Sequence, residues 1–409
     1  MKDGALERQA LALTNIEPYE FDGEPISYHH NTAYDAANDR FGDRLLLDSI
    51  HDGDGYPAFL ADMFAQPDVR AAYEIEKDWA ANHIANSFAQ KMNVPGFYRV
   101  NIARALLDFG RFPGSTNAGN RQHLDRLAIN PPFTERLDYN QKKRVLNYYD
   151  EISSVFDKAL RNKILKISIH TYDKFNPGPI ESERTMRPMT SVIYRSSAYQ
   201  ATSRMPFGLF DRLYIDELGE FTADRTLIAR ICLTLEKARI SVGQNHPYTL
   251  PEGSVEVRAQ VWMFFQFLRR QYEELYPETR EDTAFQAVWR MLSDTNLRDG
   301  DSEIYRSYIH MYRRAPAGYE GRCEAVKNAY LKLKEFVNKW RYDLYETYRW
   351  HPRRFNSIVF EVRKDVAWDF ATMTPREEQI EQITTLLAHA VETYFAEDLD
   401  PSLDDLGLY

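Results

Sequence analysis

The chain has 409 residues, 44% of them hydrophobic and 13% aromatic, with a formal net charge of -10. That length buries a sizeable core in one large domain or two, and the acidic balance argues against a non-specific nucleic-acid binder, which needs a basic surface. No run approaches the ~20 apolar residues of a membrane span, and the opening MKDGALERQALALTN lacks an apolar signal-peptide core, so a cytoplasmic protein without membrane or nucleic-acid partners is expected.

Residues 1–40 are polar and aromatic without clear period and read as an N-terminal arm. From 41 onward strand-like and helical runs alternate: Arg44 to Ile50, a helical stretch around Glu76 to Lys91, then Gly96 to Leu107. The alternation predicts an α/β fold, a mixed and mostly parallel sheet flanked by helices. Residues 114–137 are loop-like, broken by Gly114, Ser115, Asn117, Gly119 and Pro131-Pro132. A long helix follows, capped by Asp138 with Gln141 reaching back, and Val145, Tyr149, Ile152 and Phe156 recur at helical spacing.

Lys163 to His170 is a β-branched strand ending on a histidine, as Leu45 to Ile50 ends on His51. A loop with Pro177-Gly178-Pro179 leads to Arg187-Pro188 and a strand over Thr190 to Arg195. A helix near Thr222 to Ala238 precedes Ile240 to Tyr248, a strand entering a turn. Residues 253–350 read as almost wholly helical, with 16 Lys and Arg against 15 Asp and Glu and four of the six tryptophans. They form an inserted all-helical subdomain, dividing the α/β domain into 41–252 and 351–409. In Ser357 to Arg363, Ile358, Phe360 and Val362 share one face while Glu361 and Arg363 share the other. A last helix is predicted with Thr374 as cap, Pro375 in its first turn and Glu377 completing a capping box. Cys232 and Cys323 lie far apart in helix-like surroundings, so a metal here would use His and carboxylate ligands.

Charged residues inside apolar strands are costly to bury unless paired or coordinating, and Glu361 is the clearest case. Two histidines and a carboxylate on zinc, with a separate carboxylate as base, are the usual apparatus for amide hydrolysis, and arginines nearby would orient an acidic substrate. Taken singly, His51 also fits a structural hydrogen-bonding role, Asp78 a first-turn acid, and Arg104 with Asp108 a plain ion pair. His83, His246, His310 and His389 read as ordinary histidines, and His351 as a supporting group.

Six stretches, in order over residues 45–370, resemble the N-formylglutamate amidohydrolase family. His51-Asp52-Gly53 with Pro57 is similar to its proline-histidine-x-glycine turn, with Ile50 in place of the proline; Lys77-Asp78-Trp79 is similar to its aspartate at a helix start. Arg104 to Arg111 resembles R-x-x-x-D-x-N-R, with Gly110 in place of asparagine. Ser168-Ile169-His170-Thr171 followed by Arg187-Pro188, Val242 to Tyr248 as V-G-x-N-x-P-Y, and Glu361 to Asp365 as E-I-R-x-D complete the set. The family does not usually carry a hundred-residue helical insertion, and Thr249-Leu250-Pro251 replaces its glycines after N-P-Y.

The resemblance implies a zinc-carboxypeptidase-like fold and a zinc ion, or another divalent metal, on His51, Asp78 and His170, with Glu74, Glu76 and Asp54 as alternative carboxylates. Glu361 would be the general base and Arg104 the oxyanion group, with Arg111, Arg187, Asn245 and Arg363 holding the substrate. The implied activity is hydrolysis of a C–N amide bond, by metal-activated water, in an N-acyl (N-formyl included) acidic amino acid or peptide-like compound. A non-hydrolytic homologue acting as a binding or scaffold protein in a biosynthetic complex is the other reading.

Overall fold

The computed structural model describes residues 13, 15–21, 23–113, 128–176, 184–206, 209–251, 253–351 and 354–397. The loop reading of 114–127, the Pro177-Gly178-Pro179 loop and the first twelve residues lie outside them. The core is a seven-stranded sheet of β1 (Ile26–His30), β2 (Leu45–Ser49), β3 (Gly96–Val100), β4 (Leu165–Tyr172), β5 (Thr190–Ile193), β6 (Val242–Gln244) and β7 (Asn356–Arg363). Their order is β1-β3-β2-β4-β7-β5-β6. β1 with β3 and β5 with β7 are antiparallel and the other neighbours parallel, so the sheet is mixed and mostly parallel.

Alternation along each strand separates two layers. Leu45, Leu47, Ile167, Ile169, Ile358, Phe360 and Val362 meet α2 (Ala81–Lys91), α4 (Arg225–Lys237) and α9 (Glu377–Glu397) in one core. The expected division of β7 is therefore present, because successive residues in a strand point to opposite faces. The opposite face carries Leu46 and Ile50 under α3 (Tyr139–Ala159) and Ile193 and Val359 under α5 (Val255–Leu275). That second face also bears Asp48, Lys166, Ser168, His170 and Glu361, all buried.

The segment 253–350 is helical as read: α5, α6 (Thr283–Ser293), α7 (Gly300–Ile309) and α8 (Glu320–Arg349) share one core. Its first helix is also a layer of the α/β unit. Every residue from Val255 to Val261 is buried, and Gln260 Nε2 donates to the carbonyls of Thr222 (2.8 Å) and Phe355 (2.7 Å). Cys232 and Cys323 sit in separate cores.

Two expectations are corrected. The stretch before residue 41 is more than an arm, since β1 pairs along its length with β3 and extends the sheet. Thr374 does not cap the last helix: Thr374-Pro375 pairs antiparallel with Trp368-Asp369, and α9 begins at Glu377. Backbone already committed to a strand pair is not free to open a helix. The capping box on α3 is formed as read, Asp138 accepting from Gln141 N (2.8 Å) and Gln141 Oε1 from Asp138 N (3.0 Å). Among the described residues, no helix is long and apolar enough to cross a membrane.

Candidate metal and catalytic centre

Ligand sites in open α/β sheets gather at the carboxyl ends of parallel strands. Here β2 runs out into His51, β4 carries His170 near its end, and β7 places Glu361 in register with His170. Asp78 comes from the turn between α1 (Pro67–Glu76) and α2. That turn is fixed by Asp78 N donating to the His51 carbonyl (3.1 Å) and by Thr171 Oγ1 donating to the Trp79 carbonyl (3.1 Å). Ala80 closes it at φ 71°, a left-handed conformation that costs an L-residue about 1–2 kcal/mol and persists because those bonds determine it.

His51, Asp78 and His170 each offer a donor atom, all within 4.8 Å of one another and all three residues buried. The separations are 3.0 Å between the two Nδ1 atoms, 2.8 Å from His170 Nδ1 to Asp78 Oδ2 and 3.6 Å from His51 Nδ1 to the same oxygen. A tetrahedral zinc with bonds of ~2.0–2.1 Å has ligand atoms roughly 3.3 Å apart, which these edges bracket. Two imidazoles and one carboxylate, with a further position open, are also the donor set of catalytic zinc. The residues therefore fit a divalent ion.

The surrounding groups prepare that arrangement. His51 Nε2 meets Asp108 Oδ1 at 2.7 Å, which leaves Nδ1 to face the other donors. Burial and Arg104 lower the His51 pKa, but Asp108 and Asp78 outweigh them and the net shift is upward. Burial opposes the charge on Asp78, yet Arg104 and the two histidines hold its carboxyl well below the usual range. Asp108 is held low in the same way, against burial, by His51, Arg104 and Arg111. Gly110, where the motif has asparagine, lies so close that a Cβ there would stand 3.1 Å from the His51 ring and from Asp108 Oδ1. Gly53 is more tightly constrained, because a Cβ would run into the carbonyls of Val100 and Ile102. Replacing Asp108 with Asn is expected to weaken zinc affinity about 10–100-fold in a competition titration, with the fold kept by far-ultraviolet dichroism.

Glu361 is 2% exposed. Its Oε1 accepts a hydrogen bond from the Tyr248 hydroxyl, while Oε2 has no hydrogen-bond partner among the described residues. Burial, reinforced by Asp78 and partly offset by His170, Arg104 and Arg187, raises its pKa to about 7. A cavity of about 550 Å³ opens beside these groups, lined in part by His51, His170, Arg104, Arg111, Arg187 and Tyr248.

The other expected residues divide. Arg104 Nη1 donates to Asp78 Oδ1 (2.9 Å) and its Nε to Asp108 Oδ2 (3.4 Å), bonds that position the two carboxylates. Arg111 pairs with Asp108 (3.0 Å) and Asn130 (2.6 Å), and Arg187 bonds Asn176 (2.8 Å) over the Tyr172 ring. Asn245 and Arg363 are not among the cavity's lining. Asn245 Oδ1 accepts from Tyr194 N and Arg195 N (both 2.9 Å), fixing the turn that presents Tyr248; Arg363 bonds Asp365 (2.6 Å) and the Arg187 carbonyl (3.0 Å).

Of the alternative carboxylates, Asp54 is engaged in a buried network with Lys77, Arg99 (2.6 Å) and Tyr73 (2.8 Å). Glu74 is exposed and Glu76 half-buried in the last turn of α1, where Glu76 lies 3.6 Å from Arg104, and neither joins the donor group. Sequence reasoning missed the contact of Tyr248 with Glu361, although Tyr248 ends the N-x-P-Y turn it singled out. It also missed Glu256 in the cavity wall.

The fold and site define a three-layer α/β protein with a His-Asp-His donor group and a buried glutamate at the carboxyl edge of its sheet. No family model matches the chain, and no curated protein matches it. Among solved structures it is similar to a gene product from Agrobacterium tumefaciens, at 14% identity over 92% of this chain and 97% of that one, with a TM-score of 0.44. It is also similar to N-formylglutamate amidohydrolase from Ralstonia eutropha JMP134, at 12% identity over 91% of this chain and 99% of that one, with a TM-score of 0.47.

Proposed function

We propose that this chain is a cytoplasmic metal-dependent hydrolase that cleaves the C–N amide bond of an N-acyl acidic amino acid, N-formyl compounds included, or of a peptide-like substrate. The observation that carries this reading is the placing of three metal-type donors within 4.8 Å of one another, beside a buried carboxylate whose pKa is about 7. His51, Asp78 and His170 would hold the ion, zinc being the best match to the donor set. When bound, it supplies Lewis acidity that polarises a carbonyl and brings the pKa of water to ~7.

The chain's own groups do the rest. Glu361 takes a proton from the attacking water and returns it to the departing nitrogen, for which a pKa near neutrality suits both transfers. Tyr248 fixes one Glu361 oxygen, so the proton moves at Oε2. Arg104 keeps Asp78 ionised and in place, while Arg111 and Arg187, at the cavity surface, are the forked donors for a substrate carboxylate.

Purified protein is expected to carry one divalent ion per chain by elemental analysis, and His170→Ala to carry none. Metal-loaded protein should release amine from members of a panel of N-acyl aspartates and glutamates. A wild-type chain that binds no divalent ion at micromolar concentration would rule the reading out.

A further inference from the structure

Glu256 is the charged residue that the helical segment 253–350 contributes to the cavity wall. It sits in the first turn of α5, is 2% exposed, and accepts from Lys166 Nζ at 3.0 Å. The same ammonium lies 2.8 Å from Asp48 Oδ2 and donates to Ser168 Oγ at 2.6 Å. Two buried carboxylates thus share one buried cation.

Burial raises the pKa of Asp48, with Lys166 opposing; Glu256, despite its own burial, is held low by Lys166 and His170 and keeps its charge. A carboxylate that shares its one cation with a second carboxylate leaves negative charge that a further cation would offset. His170 lines the same cavity, 4% exposed, with an Nε2 that has no hydrogen-bond partner among the described residues. Arg104, Arg111 and Arg187 line the same cavity, and Arg104 and Arg111 are already bonded to carboxylates of the protein. A purely anionic ligand would meet the arginines and leave Glu256 with no cation but the Lys166 it shares with Asp48.

We propose that Glu256 is a specificity-determining residue that receives a protonated amino group of the substrate while the arginines take its carboxylates, so that the preferred class is an amino-bearing, dipeptide-like acidic amide rather than a simple N-acyl amino acid. This rests on the amide-hydrolase reading of the same site. A cavity of about 550 Å³ is within the range that holds ligands of this size.

The test compares two probes that differ only in the ammonium group, β-alanyl-L-glutamate and propanoyl-L-glutamate, by calorimetric binding to the full chain with and without zinc. Wild type is expected to bind the β-alanyl compound about tenfold more tightly or better, the range of a hydrogen bond to a charged group. E256Q should bring the two affinities within about twofold of each other while one zinc per chain is kept. Equal affinities in wild type would overturn the proposal, and that comparison decides even if E256Q fails to fold. Loss of zinc from folded E256Q would overturn it too, by making Glu256 a support for His170. If neither probe binds, the acidic-amide reading falls and this proposal with it; equal binding of both removes the amino-group preference alone.

Discussion

Glu361→Gln is expected to reduce turnover of any amide substrate by about 10²–10⁴-fold while one divalent ion per chain stays bound. The amide keeps the volume of the carboxylate and an oxygen for the Tyr248 hydroxyl, but it accepts no proton at neutral pH. Activity retained within tenfold would remove Glu361 from the proton transfers. The same substitution has a second readout in metal-free protein. Glu361 moves from an ordinary pKa of 4.5 to about 7 on folding, so between these values the folded chain holds a proton that the unfolded chain has released. That contribution to stability is complete below pH 4.5 and is lost as pH rises through 7, amounting to roughly 3 kcal/mol. Glu361→Gln lacks the loss, so its stability relative to wild type should rise across that window in urea unfolding at pH 4.5, 6 and 7.5. A flat difference would mean that the carboxyl titrates as it does in water.

Lys77→Met is expected to be the most damaging single change near the site, at about 3–5 kcal/mol, the cost of stripping one partner from a buried ion pair. Lys77 Nζ lies 2.7 Å from Asp52 Oδ1 and contacts Asp54 Oδ1, in a cluster almost wholly closed to solvent. Because Lys77 adjoins Asp78 and the two aspartates flank Gly53 after His51, the cluster ties two donor segments together. Urea unfolding measures the loss. Adding Asp52→Leu should restore part of it, since replacing both partners is less costly than orphaning one. A single variant within 1 kcal/mol of wild type would show that water reaches the cluster.

Much of the architecture was legible because its signals are local. The Asp138 capping box spans four residues, and β7 states its two faces in eight. His51, His170 and Glu361 were visible as polar residues at strand ends or inside apolar runs. The choice of Asp78 over Asp54 was not legible in the residues themselves, since both are aspartates near a turn. What separates them is partners elsewhere in the chain: Lys77, Arg99 and Tyr73 occupy Asp54, while Arg104 and His170 meet Asp78. Glu256 reads in sequence as a first-turn acid suited to a helix dipole, and only the packing of α5 on the sheet places it in the cavity. Thr374 misled for the converse reason, a sound local cap pattern overridden by pairing with Trp368-Asp369.

The register of β4 with β7 sets His170 directly beside Glu361. Adjacent strands in any sheet lie ~4.8 Å apart, so the gap between Glu361 and His170 is set by backbone hydrogen bonding rather than by side-chain packing. Other cavity-lining residues have no such ruler: Arg187 and Tyr248 belong to connections, and Glu256 to a covering helix. Insertions and exchanges in those parts can redraw what the cavity admits and leave the spacing of His170 and Glu361 unchanged.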